Sequence, residues 1–148
     1  MPLIFDPSND EHAKILMPFL ATAAITRGSP VSIDSSGDVA DTATATLNNV
    51  IGVAYENIAS GEVGLVQTWG YCDYVVTDGN VAAPGTDQSG DLVLIAADGG
   101  VAHGATEAEI TADPTLAYYI FAKNLAVDSS TTGVCFIGNA HSGGGATS

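Results

Sequence analysis

The chain is predicted to be a single all-β domain, a small barrel or sandwich of about seven to nine short strands. Three observations predict it. Apolar and small or polar residues alternate with period two through the middle of the chain. The alternating runs are rich in β-branched and aromatic residues and are punctuated by glycine. No stretch carries helical periodicity for more than about one turn, and no 20–50-residue repeat is present. With 148 residues, the chain is long enough for one well-buried core and too short for two ordinary domains.

The clearest signal runs from Val50 to Val76, where V-I-G-V-A-Y is followed by a loop ending at Ser60-Gly61 and by E-V-G-L-V-Q-T-W-G-Y-C-D-Y-V-V. This reads as strand, turn, strand, kink, strand, with Gly70 at the kink. Upstream, Val31 and Ile33 alternate with Ser32 and Asp34, and Ser35-Ser36-Gly37-Asp38 turns the chain into Val39. Asp41 to Asn49 reads as a connection of small residues. Downstream, Asp78-Gly79-Asn80 is a hairpin-turn signal, and Pro84-Gly85 and Ser89-Gly90 mark further turns. Asp91 to Ala96 reads as a strand covered on both faces, and Asp98-Gly99-Gly100 turns back into Val101. Thr106 to Pro114 is the one helical turn, while Leu116 to Ala122 and Val134 to Ile137 are two more buried strands. Val53, Leu65, Leu94, Ile120 and Phe136 are the expected core.

The ends differ from this body. In Met1 to Ala24, apolar patches are separated by Pro2, Pro7 and Pro18, which disfavour a helix and a central strand, so residues 1–24 read as an extended arm. It could pack on its own domain or reach a partner. Residues 25–139 form the domain, and residues 140–148 (G-G-G within a small polar run) a flexible tail.

Three basic residues, Lys14, Arg27 and Lys123, stand against 17 acidic ones, for a formal charge of −14. Nucleic-acid binders replace counterions with Lys and Arg, and anionic membranes repel acidic chains, so neither is expected as a partner. Charged residues are only 14%, and mean hydropathy is +0.26, which favours a subunit of an assembly. No run approaches transmembrane length, and Asp6, Asp10 and Glu11 stand where a signal peptide would be basic; synthesis in a cytoplasm is expected. Cys72 and Cys135 lie in apolar runs without C-x-x-C spacing and read as small core residues rather than a disulfide.

No chemistry-bearing constellation is evident. His12, His103 and His141 fall in the arm, a loop and the tail, and G-x-S-x-G, H-E-x-x-H and phosphate-loop patterns are absent. Asp34, Asp38 and Asp41, or Asp87 and Asp91, do not match a calcium loop. The chain is therefore expected to be no enzyme and to hold no metal or cofactor. Trp69, Tyr71, Tyr74, Tyr118, Tyr119 and Phe121 would suit a carbohydrate groove, but suit a core or interface better.

Three segments carry a family resemblance: S-P-V-S-I-D-S-S-G-D-V (Ser29 to Val39), N-V-I-G-V-A (Asn49 to Ala54) and S-G-E-V-G-L-V-Q-T-W-G (Ser60 to Gly70). In this order the chain resembles the head decoration, or capsid cement, proteins of tailed bacteriophages, over about Ile25 to Gly100. The resemblance implies a β-tulip barrel on the outside of an icosahedral head. It also implies a homotrimer that clamps copies of the major capsid protein, with no catalytic residues to transfer. Under that reading the apolar residues of the arm, Leu3, Ile4, Phe5, Ile15, Leu16, Met17, Phe19 and Leu20, would grip the shell. Another phage structural barrel, in a fibre or baseplate, and a carbohydrate-binding β module are the alternatives.

Overall fold

The computed structural model describes residues 13–83 and 91–138. They form nine strands: β1 (Lys14–Leu20), β2 (Pro30–Ile33), β3 (Val39–Asp41), β4 (Val50–Ala54), β5 (Val63–Val76), β6 (Val93–Ala97), β7 (Val101–Ala105), β8 (Ile120–Val127) and β9 (Thr132–Ile137). One short helix, α1 (Glu107–Ala112), and 3₁₀ helices at Thr44–Asn49 and Pro114–Tyr119 interrupt them. The fold is all-β. Every strand pairing is antiparallel, in the order β3-β2-β4-β5-β9-β8-β6-β7, with β1 added on β5.

The expected closed barrel is not formed. The terminal strands β3 and β7 do not pair with each other, so the sheet stays open. Each end instead curls back toward β5. Val39 of β3 bridges to Ala21 just after β1, and Ala102 of β7 bridges to Thr77 just after β5. Two lobes result, built on the two larger core clusters, with a third, smaller cluster of Ile95, Ala105 and Ile120 beside them. Ala21, Ile25, Val31, Val39, Ala54, Ile58 and Val66 pack in one. Val53, Cys72, Tyr74, Val75, Leu94, Phe121, Cys135 and Ile137 belong to the other. The 14-residue β5 runs through both.

Gly70 is where β5 passes from lobe to lobe. Its φ of +107° lies where L side chains rarely go, and a Cβ there would come within 2.4 Å of the Ala13 carbonyl oxygen. The first half of β5 pairs with β1 and β4, and the second half with β9; Gly70 itself is opposite both Lys14 and Ile137. The glycine of V-I-G-V-A, Gly52, has a different reason. A Cβ on it would sit 2.1 Å from the Gln67 carbonyl, so its absence lets β4 lie close over β5.

Lys14–Leu20, within the segment read as an arm, forms β1 and pairs along its length with β5. Pro18 is tolerated there because β1 is an edge strand, bonded among the described residues to β5 alone. Leu3, Ile4, Phe5, His12, Asp87, His141 and the 140–148 tail lie outside the described residues, as do the Pro84-Gly85 and Ser89-Gly90 turns.

Several local expectations are corrected. Leu116 to Tyr119 is 3₁₀ helix rather than strand, because Pro114 starts a helical turn that the Asp113 side chain caps at Thr115 N (3.1 Å). Asp41 to Asn49 contains a 3₁₀ helix, held where Thr46 Oγ1 accepts from Ala43 N at 3.0 Å. Asp78-Gly79-Asn80 is a turn, but not of a hairpin: β5 pairs with β9 rather than with β6. α1 follows the expected pattern, with Thr106 and Glu109 capping one another reciprocally. The Asp98-Gly99-Gly100 turn docks on the other lobe, where Gly99 and Gly100 N–H groups both donate to Thr42 O at 3.0 Å. Thr42 Oγ1 donates in turn to Ala97 O at 2.7 Å.

Of the expected core, Val53, Leu94 and Ile120 are buried and Leu65 is half-buried. Phe136 is 37% exposed, because Cys135 and Ile137 take the inward positions of β9. Leu94→Ala should therefore cost about 2–5 kcal/mol in chemical denaturation, and Phe136→Ala clearly less. Gly70→Ala should cost at least about 1–3 kcal/mol from its φ alone.

Candidate functional site

The surface of the sheet where β1, β5, β9 and β8 adjoin is apolar. Ile15 is directly opposite Trp69 across β1 and β5, and the Trp69 ring meets Phe136 edge to face at 4.9 Å between centroids. Phe136 is opposite Tyr71 on β5 and Lys123 on β8, and Leu125 follows two residues along on the exposed side of β8. Ile15 is 50% exposed and Trp69 36%. At the far end of β1, Leu20 faces Val63, which is 64% exposed. Ile15, Trp69 and Phe136 make an exposed apolar patch of the kind that partners cover, with Lys123 beside it. Leu20 and Val63 lie apart, because alternation puts Leu20 on the opposite side of β1 from Ile15.

The arm residues do not form one patch. A register shift between Ile15 and Leu16 and the alternation of β1 divide them between its two sides. Ile15 and Leu20 are exposed, and Leu16 is half-buried. Met17 and Phe19 line a groove of about 310 Å³ together with Ile33, Ile51 and Phe121. Leu3, Ile4 and Phe5 lie outside the described residues. Trp69 was legible in the sequence as an aromatic candidate; Phe136 and Val63 were not. Counting alternate positions outward from Cys135 would have placed Phe136 outside.

Beneath this face is a polar knot. Gln67 is fully buried in β5, and its Nε2 donates to the carbonyls of Trp69 (3.2 Å) and Tyr71 (2.8 Å). Its Oε1 accepts a hydrogen bond from the Tyr74 hydroxyl. Tyr74 packs edge to face against Tyr55 at 5.9 Å. The Arg27 guanidinium lies 4.0 Å from the Tyr74 ring centre, and Lys14 Nζ lies 5.5 Å from that of Tyr55. Burial above all pushes the Tyr74 phenol far above its usual range, so it stays protonated and able to donate.

The remaining polar candidates have structural roles. Asp34 Oδ1 accepts from Ser36 N and Asp38 N at 2.8 and 3.0 Å, an Asx turn. His103 lies in strand β7 rather than a loop, with Nδ1 2.7 Å from Asp78 Oδ2. Burial would raise the Asp78 carboxyl, but the His103 and Asn80 hydrogen bonds and the His103 charge outweigh it and hold it low. Among the described residues, no three His, Cys, Asp or Glu side chains gather in a metal-binding group. The six aromatics considered for a sugar groove separate: Tyr74 and Phe121 are buried, Trp69 and Tyr71 belong to the outer face, and Tyr118 and Tyr119 to the second 3₁₀ helix. No described helix is long and apolar enough to cross a membrane.

Asp41 carries an electrostatic cost. Its Oδ1 is buried without a hydrogen-bond partner beneath Gly100, and desolvation raises its carboxyl above the ordinary range. A raised folded-state value means the charged form opposes folding above it, and the loss is relieved as pH falls toward the unfolded value of about 4. Asp41→Asn should therefore raise Tm at pH 7, and the advantage should shrink as the pH approaches 4. An equal difference at both pH values would assign the effect to packing. No protein-family model matches the chain, and no curated protein matches its sequence.

Proposed function

We propose that the chain is a structural virion protein that binds the outside of a bacteriophage head and cements the shell of major capsid protein. The observation that carries this reading is the exposed apolar band of Ile15, Trp69, Phe136 and Leu125 on a domain with three basic residues. Apolar surface of this kind suits burial against another protein, while the charge of −14 suits neither packaged nucleic acid nor an anionic membrane. The resemblance of Ser29 to Val39, Asn49 to Ala54 and Ser60 to Gly70 to head decoration proteins supplies the identity of the partner.

In this reading the protein acts as a homotrimer and has no catalytic role. Each subunit offers three attachments. The outer face supplies flat apolar contact, and the edge of β1 carries backbone groups that an extended segment can pair with. Residues 1–12 supply a third through Leu3, Ile4 and Phe5, with a reach of at most roughly 40–43 Å for 12 residues beyond β1. Attachments repeated in a trimer act at high effective concentration, so weak single contacts sum to a tight hold. Like-charged subunits repel, so trimerisation tightens as salt screens them.

The test is co-sedimentation of the purified protein with empty heads of its own phage. The wild-type chain is expected to pellet with heads and to resist added salt. Trp69→Glu combined with Phe136→Glu is expected to remain folded and lose at least about tenfold in affinity, the equivalent of 1.4 kcal/mol. Deletion of residues 1–12 leaves β1 whole and separates the arm from the face. A wild-type protein that stays in the supernatant at all salt concentrations overturns the proposal.

A further inference from the structure

We infer that Cys72 and Cys135 form a redox-closable pair, a site at which a peroxide converts the two thiols into a disulfide joining β5 to β9 within one chain. The two residues are directly opposite in the antiparallel ladder, both fully buried and both free thiols. Opposed residues in such a ladder have Cα atoms about 4.5 or 5.5 Å apart, according to the kind of pair. Both values lie in the roughly 4.4–6.8 Å range that a disulfide spans, so closure needs little backbone movement. Direct opposition also places both side chains on one face, inside the larger lobe.

The pair is chemically asymmetric. The Cys135 thiol donates to the Cys72 sulfur, and the Tyr74 backbone supports it, which favours the thiolate at Cys72 against the opposing effect of burial. At Cys135 the same hydrogen bond and burial hold the proton on. This asymmetry favours Cys72 as the nucleophile, and the direct opposition of the two residues lets either thiol resolve the other. The Cys72 thiolate attacks one peroxide oxygen, the O–O bond breaks, and hydroxide departs, leaving a sulfenic acid. The Cys135 sulfur then attacks the Cys72 sulfur, its proton leaves with the sulfenic oxygen as water, and the S–S bond forms. Two electrons pass from the sulfurs to the peroxide.

The peroxide must reach buried sulfur, and the ladder is interrupted beside the pair on both flanks. Register shifts lie between Cys72 and Val75 where β5 meets β9, and between Asn124 and Ala126 where β8 meets β9. Such irregularities weaken pairing locally and are where a strand opens first. Once formed, the bond ties positions 63 residues apart in sequence, so it constrains the unfolded chain strongly.

The experiment treats the reduced, folded, full-length protein with hydrogen peroxide under native conditions, followed by intact mass, non-reducing peptide mapping and thermal unfolding. The expected product is a single chain lighter by two hydrogens, with the Cys72 and Cys135 peptides joined and Tm raised by about 5 °C or more, all reversed by dithiothreitol. Cys135→Ser should stop at a sulfenic acid on Cys72, trappable by dimedone. If that variant does not fold, the wild-type peptide map decides alone. Thiols that survive peroxide sufficient to oxidise free cysteine, overoxidation of one cysteine alone, or disulfides only between chains would each overturn the inference.

Discussion

The buried side chain of Gln67 is the constraint around which the two lobes are arranged. β5 is a central strand in its first half, with β1 and β4 bonded over the same residues, Val66 and Gln67. Beyond Gln67 the pairing with β4 ends, which would leave β5 carbonyls facing the interior without donors. The Gln67 amide supplies those donors to Trp69 and Tyr71, replacing a strand with a side chain. A buried carbonyl left unmade costs about 1–3 kcal/mol, so the substitution lets the sheet split without that loss. The remaining acceptor of the amide is satisfied by Tyr74, which ties the knot to the core of the larger lobe.

The scarce cations reinforce the same place. Of three basic side chains, Arg27 and Lys14 lie over Tyr74 and Tyr55, the two rings beside Gln67. Arg27 also donates through Nε to the Tyr55 carbonyl at 3.1 Å, and Asn57 Oδ1 accepts from its backbone N–H at 2.8 Å. Cations over aromatic faces are attracted by the ring quadrupole even where no carboxylate is paired with them. The acidic side chains are instead used locally, at turns and caps such as Asp34, Asp78, Glu109 and Asp113, where they accept from nearby backbone N–H groups. This division explains how a chain of charge −14 folds with few ion pairs among the described residues: carboxylates such as these are dispersed at turns and caps, while two of its three cations sit on rings.

The open sheet has consequences for what the molecule can bind. A closed barrel removes its edges, whereas here β1 remains an edge strand bonded on one side. Next to that edge the outer face carries Ile15, Trp69 and Phe136, so backbone pairing and apolar contact are available to the same partner. That combination is the basis of the proposed role as a head-binding subunit. Met17 and Phe19, two and four residues along β1 from Ile15, line the groove with Ile33, Ile51 and Phe121, so β1 borders both apolar surfaces.

The residues by themselves determined the all-β class, the place of β4 through β5, the helical turn at Thr106 and the bend at Gly70. Each depends on local physics: period-two alternation, a reciprocal cap, and a position only glycine occupies without strain. The sequence also determined the absence of cationic clusters, since three basic residues cannot form one. Tertiary structure decided the rest. Phe136 lies outside because β9 pairs in a register that turns Cys135 inward against Cys72, and a one-residue choice of register reverses every side chain in a strand. Lys14 to Leu20 joins the sheet because β5 offers a free side there, which a proline-bearing edge strand can occupy. The sheet stays open because Ala21 and Thr77 bridge its two ends back to the neighbourhood of β5 instead of to one another, and no local signal encodes which distant strand an end will meet.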